Sequence, residues 1–428
     1  MAAPEGPGHS GRSRVGGGRA VGPARGETGG SGELSSARLR PGTPEQAGLD
    51  GDELRGLEDE VRRLSGGDRP WCSGAVVVAG RGPFAAVEHA SGWAVRYASY
   101  DEETGRGVEL PYARRVPMRL DTRFDLASLT KLFTAVAAVQ QAERGALGLD
   151  RPVAAYVPRF AAAGKGTVTV RQLLTHTSGL RAELPLYEAP GRADRLAMIW
   201  REPLLSEPGA FRRYSDLNMI VLQAVLEQVT GETLDTCVRQ GITRPLGMAS
   251  TGFGPVPYVS AAATEDQRRP WGKLDRGMLR GIVHDENAYA LGGIAGHAGL
   301  FSTAGDLAVL CRALLGGGRY GTARILAPAS VNALLAPPGL GFLTDQPSFM
   351  GELAGHGAAG HTGFTGTSLV LDRATDTFLV LLANTVHPRR QAASNAPRAA
   401  AATRLARAVR TAGAGRRTPG GRGRGRGR

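Results

Sequence analysis

Four β-rich runs stand in two pairs at opposite ends of this chain, and that separation constrains the fold more than any other feature. CSGAVVVAGRGPFAAVEHASGWAV covers residues 72–95, while TGTSLVLDR and DTFLVLLANTV fall within residues 365–386. The first stretch is split by Gly80-Arg81-Gly82-Pro83 and reads as a hairpin. An antiparallel sheet begun near one end is therefore completed from the other, with everything between inserted into it. Ahead of the hairpin, from Pro44, the apolar positions Leu49, Leu54, Leu57, Val61 and Leu64 recur at mostly helical spacing and predict an amphipathic helix. From Phe124 to about Ala146 a loop enters a second helix, with the apolar run LFTAVAAV after Ser128. Residues 150–260 read as a helical lobe punctuated by Pro, Gly and Thr, and include VRQLLTHTSGL and DLNMIVLQAVLEQVTG. A helix in GDLAVLCRALL and a last one from Ala396 to about Ala412 complete the set.

Charge separates the ends from the middle. The chain has a formal net charge of +13, but residues 389–428 hold twelve Arg and no acid, and residues 1–41 hold six Arg against three acids. The middle is thus near neutral, which argues against a nucleic-acid surface on the globular part. Gly/Arg-rich ends bury too little apolar area to offset ordering entropy, so residues 1–43 and 414–428 read as disordered, flanking a single domain at 44–413. An RGG-like tail binds RNA through charge and stacking, but this one has no interleaved aromatic residue. Cys72, Cys237 and Cys311 are odd in number, far apart and outside any CxxC, so neither a disulfide framework nor a zinc site is indicated. No apolar run reaches the roughly 18 residues that span a bilayer, and no signal-like segment opens the chain, which gives the expectation of a cytoplasmic protein without a membrane partner.

The candidate chemistry begins at Ser128-Leu129-Thr130-Lys131, where a hydroxyl and an amine three residues apart share one helix face. A neutral lysine there can take the serine proton. Lysine is scarce, with Arg supplying all but three of the 52 basic residues, and Arg stays charged at any working pH. The bland alternative is a surface lysine beside a capping serine. Tyr214-Ser215-Asp216 precedes an apolar helix; a phenol beside a cationic lysine can relay a proton, or Ser215 and Asp216 are simply caps. His361-Thr362-Gly363-Phe364 follows a Gly-rich approach and leads into a strand; the amides of Phe364 and Ser128 would be a pair of oxyanion donors, or the segment is only a turn. His176, His284 and His297 lie in loops and are read as loop anchors, and Asp285 and Glu286 beside His284 are not read as a metal site, since adjacent residues rarely converge on one ion.

Taken together, Ser-x-x-Lys, Tyr-Ser-Asp and His-Thr-Gly in this order resemble the class C β-lactamase, D-alanyl-D-alanine carboxypeptidase and related esterase family. FDLASLTK, LLTHTSGL, YSDLN, GLFSTAGDL and GHTGFTGTS look like that family's phrasing, and the resemblance covers about residues 44–390. It implies an α/β (α+β) fold with an antiparallel sheet of about five strands flanked by helices, plus the helical lobe, with the active site in the cleft between. It also implies that Ser128 attacks a carbonyl, that Lys131 and Tyr214 exchange the proton, and that an acyl-enzyme forms and is hydrolysed, with no metal or cofactor. Asp216, His361, Thr362, Gly363 and Phe364 would bind a small ester, amide or peptide substrate. Two departures bear on that substrate. Asp216 stands where many relatives have Asn, accepts hydrogen bonds only, and would keep Lys131 charged, moving the base role toward Tyr214. His361 stands where β-lactamases have a charged lysine and is mostly neutral at pH 7, so the grip on a substrate carboxylate should be weaker. Both favour esters or unusual amides, with carboxypeptidase or β-lactamase activity, or an inert binding module of the same fold, as alternatives.

Overall fold

In the computed structural model, which describes residues 37–67, 70–391 and 394–414, the two pairs of β-rich runs meet along one seam. The strands of the main sheet are β1 (Arg40–Pro41), β2 (Gly74–Arg81), β3 (Phe84–Val95), β4 (Val116–Pro117), β5 (Leu343–Thr344), β6 (Ala359–Thr362), β7 (Ser368–Asp372) and β8 (Thr377–Ala383). Their spatial order is β1-β3-β2-β8-β7-β6-β5, with β4 beside β3. The seam is the antiparallel pairing of β8 on β2, from Thr377 opposite Arg81 to Ala383 opposite Ala75. The predicted hairpin forms as β2 and β3, turning at Gly82, whose φ of 57° suits glycine. The five longer strands run β3-β2-β8-β7-β6, all antiparallel, and match the expected sheet. Three two-residue strands extend it, and one of them, β1, pairs parallel with β3.

Strand periodicity sorts side chains to the two faces. Val76, Val78, Val380 and Leu382 enter the larger core with Phe133, Val136, Leu307 and Leu310, whereas Ala75, Val77, Leu379 and Leu381 meet Leu54, Leu57, Val61 and Leu405 on the other side. The helices that supply these partners are α1 (Gly51–Leu64), α2 (Thr130–Glu143), α4 (Ala304–Leu315) and α5 (Ala396–Ala414), and α3 (Asp216–Thr230) packs on α2 in the lobe. In α2 every residue from Thr130 to Gln141 is buried, so this helix is central rather than amphipathic. Lys131 is thereby carried into the interior.

Two expectations about the N-terminal region need correction. The helix read from Pro44 is interrupted: Pro44–Ala47 makes one turn that ends at Gly48 (φ 64°), Leu49 links, and Asp50 caps α1 by accepting from the amides of Asp52 and Glu53. Residues 40–43, assigned to a disordered leader by composition, are ordered, because β1 pairs with β3 and Thr43 and Gln46 form a reciprocal capping box. The rest of the leader and the Arg/Gly tail lie outside the described residues. In the lobe, residues 150–260 carry the helices Val170–Leu174, Arg192–Arg201, α3 and Leu234–Val238. The lobe is tied to the serine by a small sheet in which Leu300–Ser302 pairs with Gly252–Phe253 and with Phe124–Asp125. No helix among the described residues is long and apolar enough to cross a membrane.

Candidate active site

Ser128 sits at the entrance to α2, and the chain before it is held in an uncommon shape. Ala127 has φ 46°, a region a residue with a Cβ seldom adopts, at a cost of about 1–3 kcal/mol. Asp125 secures it: one carboxylate oxygen accepts from the Ala127 amide at 2.8 Å and the other from the His284 amide at 2.6 Å. Burial pushes the Asp125 carboxyl up, while these donors pull it down. The third motif is fastened to the same backbone, since Thr365 donates to the Asp125 carbonyl at 2.7 Å and Thr367 to the Leu126 carbonyl at 3.0 Å. Gly363 passes so close that a Cβ there would lie 2.5 Å from the Leu126 carbonyl oxygen, so only glycine fits. The amide of Phe364 meets no acceptor among the described residues, nor does that of Ser128.

Two side chains converge on the serine. Ser128 Oγ lies 2.7 Å from Lys131 Nζ and 2.8 Å from Tyr214 Oη. Lys131 is fully buried and also contacts Asp216 Oδ1 at 2.8 Å and the His297 carbonyl at 3.2 Å, while its ammonium lies 4.9 Å from the centre of the Tyr214 ring. Burial alone favours the neutral amine, but Asp216 and Tyr214 outweigh it and the Lys131 pKa is raised. Burial raises the Tyr214 pKa too, against the pull of Lys131. At neutral pH the resting arrangement is therefore a Lys131 ammonium, an Asp216 carboxylate and a neutral phenol. Ser215 occupies the cap position of α3, yet its hydroxyl donates to the Arg181 carbonyl and does not cap the helix.

The Tyr214 ring packs against two imidazoles, with centres 4.8 Å away at His176 and 5.8 Å away at His361. His361 donates from Nδ1 to the Thr362 carbonyl at 2.7 Å, and His176 Nδ1 accepts from the Ser215 amide at 3.2 Å. Burial and the Lys131 charge pull His361 down to about 3 and hold His176 well below its ordinary value, so both are neutral. The third motif thus offers no cation. Phe364 is exposed, with its ring 5.6 Å from that of His284. His284 and His297 are anchors, as expected: His284 Nε2 lies 2.9 Å from Glu265, and His297 Nε2 lies 2.9 Å from Asp285 Oδ1.

Sequence spacing missed Asp125, although Asp followed two residues later by a strained amide is a local turn signature. It also missed that Asp216, Asp285 and His297 come together, their donor atoms within 4.8 Å of one another. Lys131 already presents a cation to Asp216, and His297 and the Ala288 amide hold the Asp285 carboxyl down although burial opposes them. This is an ion-paired and hydrogen-bonded network around Lys131.

Buried neutral imidazoles make a stability prediction. His361 and His387 are each depressed to about 3, and His176 falls in the same direction, from an ordinary value of 6.5. A folded state that binds protons less readily than the unfolded chain gains stability above pH 6.5 and loses it as pH falls below, by about 1.4 kcal/mol per pH unit for each group. The urea midpoint should therefore drop steeply between pH 6.5 and 4.5, before most carboxylates titrate. His387→Gln, outside the three motifs, should be less stable at pH 7 but flatter with pH; a flat wild-type midpoint over this range would contradict the burial.

Comparison with known proteins gives the family. The family model described as Beta-lactamase matches residues 76–404, most of the chain. A protein of Escherichia coli strain K12, named provisionally as a D-alanyl-D-alanine carboxypeptidase, is 36% identical over 304 residues, covering 62% of this chain and 70% of its own. Among solved structures, a penicillin-binding protein homologue from Caulobacter crescentus superposes with a TM-score of 0.64 at 23% identity, over 84% of this chain and 98% of that one. EstCE1, a hydrolase with promiscuous acyltransferase activity, superposes at 0.62 and 23% identity, over 84% and 99%. With the expected sheet, the three motifs in order and a family match over most of its length, this chain belongs to the β-lactamase family of serine hydrolases.

Proposed function

We propose that the chain is an esterase-like hydrolase of the Ser-x-x-Lys type that works through an acyl-enzyme on Ser128. The observation that carries this reading is the convergence of Lys131 Nζ and Tyr214 Oη on Ser128 Oγ at 2.7 and 2.8 Å. As Oγ bonds to the substrate carbonyl carbon, its proton passes into the Tyr214–Lys131–Asp216 network. The Lys131–Asp216 ion pair, 2.8 Å between its nearest atoms, shares the extra proton, so the charge is not stranded on a phenol of raised pKa. The amides of Ser128 and Phe364 stabilise the oxyanion. Collapse expels the alkoxide, which leaves with a proton returned through Tyr214, and water repeats the sequence on the acyl-enzyme.

Neutral His361 supports esters and uncharged amides over substrates with a carboxylate beside the scissile bond. The carboxypeptidase reading is supported by the name of the Escherichia coli relative. Incubation with p-nitrophenyl butyrate, quenching and peptide mass spectrometry should find a butyryl group on the Ser128 peptide, with turnover faster than that of nitrocefin. A label elsewhere would remove Ser128 as nucleophile. Faster nitrocefin hydrolysis, or release of D-alanine from a peptide ending in D-alanyl-D-alanine in preference to ester cleavage, would reverse the substrate ranking.

A further inference from the structure

Behind the third motif lies a buried cation. Arg398, in the first turn of α5, is 4% exposed, and no carboxylate among the described residues pairs with it. Its Nη2 donates to the Gly363 carbonyl at 3.1 Å and its Nη1 to Asn395 Oδ1 at 2.6 Å, its guanidinium carbon lies 5.3 Å from the Trp71 ring centre, and its Nε has no partner. Desolvation lowers its pKa to about 10, which still leaves it charged at neutral pH. A buried charge without a counter-charge is costly. If only a spacer were required, a neutral donor would hold the carbonyl at less cost.

The carbonyl it holds is the significant one. Gly363 C=O and Phe364 N–H are the two ends of a single peptide group, and that N–H is the proposed oxyanion donor. A guanidinium bound at the oxygen draws electron density toward itself, strengthens the N–H at the other end as a donor, and fixes the plane of the group. We infer that Arg398 is a positioning residue for catalysis, which polarises and orients the Gly363–Phe364 peptide so that its amide stabilises the oxyanion formed when Ser128 attacks. The inference rests on the acyl-enzyme reading. It goes beyond it in giving a buried residue of the last helix, out of reach of substrate, a part in transition-state binding.

The test uses the full chain with Arg398→Gln and Arg398→Lys, each checked for folding by circular dichroism, and follows p-nitrophenyl butyrate turnover together with inhibition by phenylboronic acid. The boronate adds to a serine as a tetrahedral anion and places an oxygen where the oxyanion forms. Removing a whole oxyanion donor costs roughly 10²–10³ in kcat, so weakening one should cost about 10–100-fold in Arg398→Gln, with KM changed less than about threefold. Boronate affinity should fall by the factor lost in kcat/KM, and Arg398→Lys, which keeps the charge but loses the fork, should lie between. A purely structural anchor would lower the melting temperature without this matched loss, and unchanged kcat and boronate affinity in folded variants would overturn the inference. If Arg398→Gln does not fold, Asn395→Ala, which frees one side of the guanidinium, should still show a matched loss of about 3–10-fold, and wild-type values there would overturn it equally. Wild-type chain with no ester turnover would remove the acyl-enzyme reading itself, an outcome distinct from active wild type with unaffected variants.

Discussion

Ser128→Ala is expected to lower kcat for p-nitrophenyl butyrate at least about 10³-fold while leaving the protein folded, because the substitution removes the one atom on which the site's donors converge. Lys131 keeps its contacts with Asp216 and the His297 carbonyl, so no buried cation is stranded. Tyr214 loses its hydrogen bond to Oγ but keeps its ring contacts with His176 and His361. The lost bonds should cost about 1 kcal/mol of stability, a shift of a few degrees at most. Hydrolysis by the oxyanion amides alone would leave a small residual rate above background, and the butyryl label on the Ser128 peptide should vanish. An alanine variant with more than about a tenth of wild-type turnover would mean that another nucleophile, or water, attacks the carbonyl.

The sheet and the motif order were legible in the chain for a physical reason. Strands such as Gly74–Arg81 and Thr377–Ala383 are buried on both faces, so they stand out as apolar runs whatever surrounds them. Ser128 and Lys131 were legible because one helix turn sets their distance. The scarcity of lysine was a weaker guide than it looked. Lys165 is equally buried, yet it donates to the carbonyls of Ala162, Trp200 and Glu202 and has no part in the site. The argument that the site needs a lysine able to lose its proton also meets the raised pKa of Lys131, which the sequence anticipated only through Asp216. What stayed hidden were contacts across distant segments: His176 and His361 against Tyr214, Asp125 joined to His284, Arg398 behind Gly363. None is encoded by local spacing. Each exists because the sheet brings the last third of the chain against the first, and the lobe folds back over α2.

Lys131→Arg should be nearly as damaging as loss of the serine, with kcat reduced about 10³-fold, since guanidinium does not surrender a proton and its planar fork cannot reproduce contacts to Ser128 Oγ, Asp216 Oδ1 and the His297 carbonyl from one point. Lys131→Met alone is ambiguous, because it leaves the Asp216 carboxylate without its cation. Lys131→Met with Asp216→Asn removes both charges, and should melt closer to wild type than the single variant while remaining as inactive; activity in the double variant would exclude Lys131 from the chemistry. Asp216→Asn by itself separates charge from base. Without that carboxylate the largest attraction holding the amine protonated is gone, burial then favours the neutral form, and the Lys131 pKa falls. If the neutral amine is the active form, kcat/KM rises with pH in the wild type, and in Asp216→Asn the same rise occurs at lower pH. Ester activity should persist within about tenfold, because the freed amine can take the serine proton directly. A rising limb that does not move would show that the protonation of Lys131 does not govern the rate, and would leave Tyr214 as the group whose ionisation must be followed.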